Sequence, residues 1–447
     1  MILTLKNIGK IAGASVELNG ITVIAGENNT GKSTVGKVLF CIFNSFYKIK
    51  EKIDEERQDT IEEILAVLDR RLINTSVSRA DIGDFSQALL DNREQYIENS
   101  DLLQEYIEEW FLKKDETSQL DLKAESLGEF IEPITSILSV SDEEILKTVL
   151  QKKLSAEFNS QINNLYSEEE GKIDLKIKET EVGMIIRNNE LASIKNNFDL
   201  HTEVIYIDDP FVLDNLRSER SQLFLNRNYA NHQEHLKQKL RKIDNRSEIK
   251  VALNEIITTK KIDVILQKLD SICSGEMVRN RMSFVYQKKN SNVVFNMKNI
   301  STGLKTFVIL KTLLLNNSLE ENGTIVLDEP EIHLHPEWQL LFAELIVLLQ
   351  KEFNMHILLN THSPYFLRAI QVYSAKYEIA DRCKYYLSEN VDERAILKDV
   401  TTSIDEIYVK LAKPLESLEN GRYCDACFIK NRYISASARN VKRDIAR

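Results

Sequence analysis

The sequence predicts an α/β protein in which a mainly parallel sheet, covered by helices, is assembled from the two ends of the chain around a large helical insertion. Three observations predict it. Strand-like and helical runs alternate late in the chain, at Thr324 to Leu327, Trp338 to Gln350, His356 to Leu359, Tyr365 to Val372 and Lys384 to Leu387, as parallel strands joined by crossover helices do. A glycine-rich loop, Gly26 to Thr34, stands between the apolar run Ile21 to Ala25 and a helix expected from Lys32. Residues 51–200 contain no strong β-rich run and carry 35 acidic against 17 basic side chains, a net of −18 in a chain whose total is −11. Acidity therefore belongs to one segment, and the remainder is basic.

Taken in order, Ile2 to Leu5, Ala14 to Leu18 and Ile21 to Ala25 read as short strands, with Gly9, Gly13, Asn19 and Gly20 at the turns. Residues 1–50 thus form the N-terminal part of the main domain. From residue 51 the period changes. Ile61, Ile64, Leu65 and Leu68 recur at helical spacing, and Thr60 with Glu63 and Ser141 with Glu144 read as capping boxes that open helices. The stretch 51–200 is accordingly expected to be an acidic helical insertion, whose charge suits docking a protein rather than DNA. The main domain continues over 201–300. Strand character returns at Glu203 to Ile207, a mostly helical basic stretch runs to about residue 270, and Arg281 to Gln287 with Asn292 to Met297 form a hairpin. Residues 215–300 hold 17 Lys or Arg against 8 Asp or Glu. That balance fits either a phosphate-attracting face for DNA or RNA, or the solvated faces of ordinary helices. Residues 301–390, beginning with a helix from Leu304 to Leu315, complete the main domain, and 391–447 form a C-terminal extension.

At 447 residues and 43% apolar content the chain can bury a large core. Its longest apolar stretches, Val308 to Leu315 and Leu340 to Leu349, are interrupted by polar or charged residues and fall short of the roughly 20 residues of a membrane span. The chain opens directly on Ile2-Leu3-Thr4-Leu5, without the basic region and apolar core of a secretion signal. A cytoplasmic protein with no membrane partner is expected. Five cysteines, an odd number, point to a reducing compartment rather than a disulfide framework. Cys424 and Cys427, with His232 and His235, offer two zinc half-sites; two unrelated surface pairs are the simpler reading.

The chemistry is concentrated in four places. Gly26-Glu27-Asn28-Asn29-Thr30-Gly31-Lys32-Ser33-Thr34 matches the phosphate-binding loop pattern in the strand-to-helix setting that the pattern requires. Its backbone N–H groups and the helix N-terminus favour phosphate, Lys32 reaches the β- and γ-phosphates of ATP, and Ser33 offers a hydroxyl to Mg²⁺. Thr324-Ile325-Val326-Leu327-Asp328-Glu329 is an apolar strand ending in two acids. Asp328 is expected to hold Mg²⁺ through its water shell, and Glu329 to orient or deprotonate the attacking water. His362 follows a second buried strand, where a lone histidine is more often structural, but its place after the paired acids favours a catalytic reading. Ser301-Thr302-Gly303-Leu304-Lys305 precedes a helix. Asp208-Asp209-Pro210 follows the strand ending at Ile207, where Asp208 either contacts metal through water or caps the next helix.

These motifs, with Asp328-Glu329-Pro330-Glu331-Ile332-His333-Leu334-His335-Pro336 and Thr361-His362-Ser363-Pro364, resemble the OLD/RecF/SMC-related ABC-type ATPases. The resemblance is closest to the OLD-like ATPase subunits of bacterial anti-phage systems of the Septu and PARIS types. It covers the two ends of the chain and hardly touches 51–200. It implies an ABC-type ATPase head in which two heads sandwich ATP. Glu329, His362 and Lys32 are then catalytic, while Ser301, Gly303 and Lys305 form a signature loop whose Ser and Gly reach the neighbour's γ-phosphate. Glu331 to His335 lie near the seam. It also implies a separate effector, a nuclease or toxin, because no Asp-x-Asp cluster of a nuclease domain follows His362. A RecF-like DNA maintenance ATPase is the alternative, and a structural ATP-binding scaffold a third reading.

Overall fold

The computed structural model describes residues 1–72, 77–114, 124–195, 199–216, 231–242, 262–280 and 283–419. The chain divides into two compact units, one of Met1–Cys41, Leu154–Asn196 and Thr202–Arg447, the other of Ile42–Lys153 with Asn197–His201. The first strands are β1 (Ile2–Ile8), β2 (Ile11–Glu17) and β3 (Ile21–Gly26), after which α1 (Lys32–Phe46) begins.

The smaller unit is helical, built from α2 (Ile49–Leu72), α3 (Arg79–Asp91), α4 (Arg93–Glu98), α5 (Ser100–Lys114), α6 (Ala124–Ser139) and the start of α7 (Asp142–Phe158). The helical period of Ile61, Leu65 and Leu68 buries that stripe against Phe85, Leu89, Phe111 and Ile134, as an amphipathic helix must. Ser141 and Glu144 form the expected capping box: the Glu144 amide donates to Ser141 Oγ at 3.2 Å and the Ser141 amide to Glu144 Oε2 at 3.3 Å. Thr60 does not open a helix. It lies inside α2, where its hydroxyl donates to the Glu56 carbonyl at 2.6 Å, the back-bond typical of a helical threonine.

The larger unit carries an eleven-stranded sheet. Its later strands are β4 (Gly171–Ile177), β5 (Thr180–Arg187), β6 (Glu190–Lys195) and β7 (Val204–Ile207). Next come α8 (His232–Arg241), a helical stretch α9 over 262–272, β8 (Gly275–Asn280), β9 (Ser283–Lys288) and β10 (Val294–Asn296). Last are α10 (Thr302–Leu315), β11 (Thr324–Asp328), α11 (Pro336–Phe353), β12 (His356–Thr361), α12 (Pro364–Lys376), β13 (Cys383–Val391), β14 (Arg394–Asp399) and α13 (Asp405–Glu419). The strand order is β6-β5-β4-β1-β2-β14-β13-β3-β12-β11-β7. From β13 to β7 every pairing is parallel, and from β6 to β2 every pairing is antiparallel. The parallel half is buried throughout β3, β7 and β11, because helices cover both faces of such a sheet.

Two boundaries and one hairpin differ from those expected. The helical insertion does not run from 51 to 200, since β4, β5 and β6 lie between 171 and 195 and join the main sheet. Lys172, Asp174 and Lys176 alternate with the buried Ile173 and Leu175, and it is this charge, on the open face of an antiparallel wing, that hides the period of two. The boundary at residue 391 cuts through the sheet, because β14 pairs with β13 and with β2. The hairpin of β9 and β10 gains a third strand, β8. Much of the basic stretch 215–300, including 217–230 and 243–261, falls outside the described residues, as do Cys424 and Cys427.

Gly20, in the turn that feeds β3, has φ of +72°, and a Cβ there would stand 2.4 Å from the Arg382 carbonyl oxygen. Both the backbone shape and the close approach require glycine. Gly20→Ala is therefore expected to cost about 2–3 kcal/mol, read as a lowered midpoint in denaturant unfolding. An unchanged midpoint would show that the turn relaxes freely.

Candidate functional site

The phosphate-loop residues hang from the C-terminal end of β3. Gly26 is needed for close approach, because a Cβ would lie 2.4 Å from the Ser388 carbonyl oxygen on β13, and Gly31 takes φ of +78°. Asn29 also has positive φ, +61°. The loop is pinned from the side by Ser388 Oγ, which donates to the Thr30 carbonyl at 2.6 Å. Thr30, Lys32 and Thr34 are buried, Ser33 and Gly31 are half-buried, and Glu27, Asn28 and Asn29 are exposed. Lys32 Nζ donates to the carbonyls of Glu27 at 2.8 Å and Gly26 at 3.3 Å. No acid occupies the first turn of α1, so the field of the helix N-terminus is free to act on an anion.

The two acids and the histidine arrive on neighbouring strands. Asp328 ends β11, 9% exposed, with Oδ1 accepting from Asn360 Nδ2 at 2.9 Å and Oδ2 from the Tyr206 hydroxyl at 2.6 Å. Glu329 follows with φ of +51°, a strained conformation for a residue with a Cβ, and its amide donates to the Asn360 carbonyl at 2.9 Å. That turn aims the carboxylate back at the loop. Glu329 Oε1 lies 3.6 Å from Lys32 Nζ and 3.4 Å from His362 Nδ1. Lys32, Glu329 and His362, of which the first and last are 330 positions apart, therefore meet at one point.

Ser301 and Gly303 stand at the start of α10. Ser301 caps α10, its Oγ accepting from the Leu304 amide at 3.4 Å, and it is exposed. Gly303 packs so closely that a Cβ would come within 2.8 Å of the His333 carbonyl and 3.3 Å of the Trp338 ring. Lys305 departs from expectation. Its side chain is 2% exposed and its Nζ pairs with Asp214 Oδ1 at 2.5 Å beside the Phe211 ring, so it faces the interior of its own fold and not a nucleotide. A helical position four residues past the cap turns inward here, because α10 is buried along most of its length.

A buried polar cluster behind Asp328 escapes sequence reasoning. His232, at the start of α8, bridges Glu157 Oε2 at 2.7 Å and Asp208 Oδ2 at 2.8 Å, with its ring edge against Tyr206 at 4.4 Å between centroids. Burial lowers the imidazole pKa, but the hydrogen bonds to Asp208 and Glu157 outweigh it and push it up to about 9. Asp208 is thereby committed to His232, and the cap of the next turn is Asp209, whose Oδ1 accepts from the Phe211 amide at 2.7 Å. His235 sits 3.4 Å from Glu203. Burial works against the Glu203 carboxylate, while His235 and Lys239 bring its pKa down to about 2. These histidines are tied to carboxylates, and no group of three or more His, Cys, Asp or Glu among the described residues could hold a metal ion.

A hard cation still fits near the loop. The Ser33 hydroxyl and the Asp328 carboxylate are oxygen donors of the kind Mg²⁺ takes alongside substrate phosphates, without a cage of protein ligands. The free helix N-terminus and Lys32 suit the phosphates themselves. Among the described residues no helix is long and apolar enough to cross a membrane.

The His232 bridge has a definite pH signature. Its folded pKa lies above the ordinary value of 6.5, so its stabilisation is complete below about pH 6.5 and is lost as pH rises through about 9. The Tm advantage of the wild type over His232→Gln is expected to be largest near pH 6 and to shrink by pH 10 in thermal melts. A constant difference across that range would mean that the imidazole is neutral in the fold.

Two curated proteins similar to this chain are probable ATPases. The retron Vc95 probable ATPase of Vibrio cholerae serotype O1 biovar El Tor is 22% identical over 388 residues, covering 82% of this chain and 70% of that protein. The retron Ec83 probable ATPase of Escherichia coli is 30% identical over 113 residues, 23% of this chain and 20% of that protein. Among solved structures, an SMC head bound to the C-terminal winged-helix domain of ScpA has 12% identity and a TM-score of 0.38, covering 91% of this chain and 98% of that one. An SMC head domain from Thermotoga maritima has 9% identity and a TM-score of 0.36, covering 89% and 98%. Those superpositions are loose, and the fold described above rests on its own strand order. The family model of the AAA ATPase domain matches residues 1–367, from the first strand to the helix that follows His362, and the chain belongs to that family of ATPases.

Proposed function

We propose that this ATPase binds ATP with Mg²⁺ on Gly26 to Thr34, hydrolyses it between two heads, and uses the cycle to control a separate effector, a nuclease or toxin, in anti-phage defence. The observation that carries the hydrolytic part is the convergence of Lys32 and His362 on one oxygen of Glu329, at 3.6 and 3.4 Å. The backbone N–H groups of the loop and Lys32 hold the phosphates, so Lys32 exchanges two loop carbonyls for phosphate oxygens. Ser33 and Asp328 hold Mg²⁺, which when bound neutralises phosphate charge. Glu329 accepts the proton of the attacking water, and His362 sits beside it to orient that water or share its charge. The effector part is supported by the resemblance to Septu-type and PARIS-type ATPases and by the two retron ATPases among the relatives.

Glu329→Gln keeps the shape of the side chain and removes its basicity. It is expected to bind ATP with wild-type affinity in calorimetry and to lower kcat by about 100-fold or more, within the range a general base contributes. Wild-type turnover would move water activation elsewhere.

The shared-site reading is supported by the resemblance to ATPases in which two heads sandwich ATP, and by the exposure of Ser301 at the start of α10. In this reading Ser301 serves the neighbouring head, and the exposed Ile332, at 53%, belongs to the seam. Lys32→Ala and Ser301→Arg are each expected to be inactive alone and to recover part of the activity when mixed, because one composite site then has both halves native. Normal hydrolysis by Ser301→Arg by itself would falsify the shared site.

A further inference from the structure

We propose that Glu331 is the positioning residue for His362, holding the histidine against Glu329 through the Thr361 hydroxyl and the helix cap that follows it. The proposal rests on the reading of His362 as part of the hydrolytic group. His362 has few tethers of its own. Its side chain is 39% exposed, and its Nδ1, 3.4 Å from Glu329 Oε1, makes no hydrogen bond. The ring is therefore aimed by the backbone on either side of it, and that backbone is clamped.

Glu331 supplies one jaw. It is 2% exposed, in a turn whose next residue, Ile332, is 53% exposed. Its Oε1 accepts a short hydrogen bond from Thr361 Oγ1, and the backbone amides of Glu331 and His362 also support its carboxyl. The same Thr361 oxygen accepts from the Ser363 amide at 3.0 Å, so a single hydroxyl spans His362. Gln339 supplies the other jaw: Nε2 donates to the carbonyls of Leu334 at 3.1 Å and Glu331 at 3.4 Å, and Oε1 accepts from Ser363 Oγ at 3.5 Å. Both neighbours of His362 are thus tied to the turn that begins at Glu329. Burying a carboxyl costs a fold free energy even when it is hydrogen-bonded. An apolar residue would fill the space more cheaply, but it could not accept the Thr361 proton. Supporting contacts of this kind decide whether a reactive group stays within the fraction of an ångström that its chemistry tolerates.

The test is steady-state ATPase kinetics of the full chain carrying Glu331→Ala, Glu331→Gln, Thr361→Val or Thr361→Ser, each alone and combined with His362→Ala. Glu331→Ala and Thr361→Val are expected to lower kcat by about 10- to 100-fold, the cost of a misplaced group, with KM for ATP changed by less than about twofold. Glu331→Gln, whose amide oxygen still accepts the Thr361 proton, and Thr361→Ser, which keeps the hydroxyl, should recover most of the turnover. In the His362→Ala background, Glu331→Ala and Thr361→Val should produce no further loss, since residues acting through one group are not additive. The same fold-loss with and without His362 would overturn the proposal. Wild-type turnover by His362→Ala alone would instead remove the role of the histidine, and the proposal with it, a result distinct from additivity. If Glu331→Ala does not fold, the Thr361→Val and Thr361→Ser pair carries the same test.

Discussion

In the parallel half of the sheet Asp328 pairs with Asn360, and Thr361 pairs with Ala25. That register brings the ends of β3, β11 and β12 level, so Gly26, Glu329 and His362 leave the sheet at the same edge. Ligands of open α/β sheets gather at the carboxyl ends of the strands for this reason. The register is enforced by burial. All of β3 and β11 and nearly all of β12 are inaccessible, and a slip of one residue would turn every side chain to the opposite face. A slip would also separate Asp328 from Asn360, its hydrogen-bond donor on the adjacent strand.

Against this rigid frame, the side chains of the candidate site are held in conformations that the sequence alone would not favour. Glu329 has positive φ and is retained by its amide bond to the Asn360 carbonyl. The turn after it, through Glu331 to Leu334, is closed by backbone bonds from Ile332 to Glu329 and from Leu334 to Glu331. Gln339 then fastens that turn to the start of α12. Strain of this sort persists only where the surroundings over-determine it. Here the surroundings are the strand ends and two helix starts.

Asp328 shows how the electrostatics are layered. A carboxylate so buried must be satisfied, and its two oxygens take one bond each from Asn360 and Tyr206. Tyr206 is in turn packed by the His232 ring, whose charge is balanced by Glu157 and Asp208. Burial and the neighbouring Asp328 raise the Tyr206 pKa well above its ordinary value, so the phenol stays a donor. The cluster joins α7, β7 and α8 behind the phosphate loop and keeps Asp328 oriented from within.

Much of the site was legible from residues 26–34, 324–329 and 362, because each motif is local: a loop that needs glycine, a buried strand that ends in acids, a strand that ends in histidine. The parallel half of the sheet was legible for the same reason, since strands buried on both faces read as continuous apolar runs. The antiparallel wing over 171–195 was not, because its open face carries the lysines and acids that also characterise the helices before it. Nor were the partners of Lys305, Asp208 and Asp328. Lys305 could be read as a nucleotide contact until Asp214 and Phe211, some 90 residues earlier, closed over it. The sequence by itself determined the phosphate-loop pattern, the apolar strand that ends in two acids, and the alternation of strands and helices around them. Only the tertiary structure decided which oxygen faces which proton, because His232, Glu157, Tyr206 and Glu331 reach their partners through contacts that local spacing does not encode.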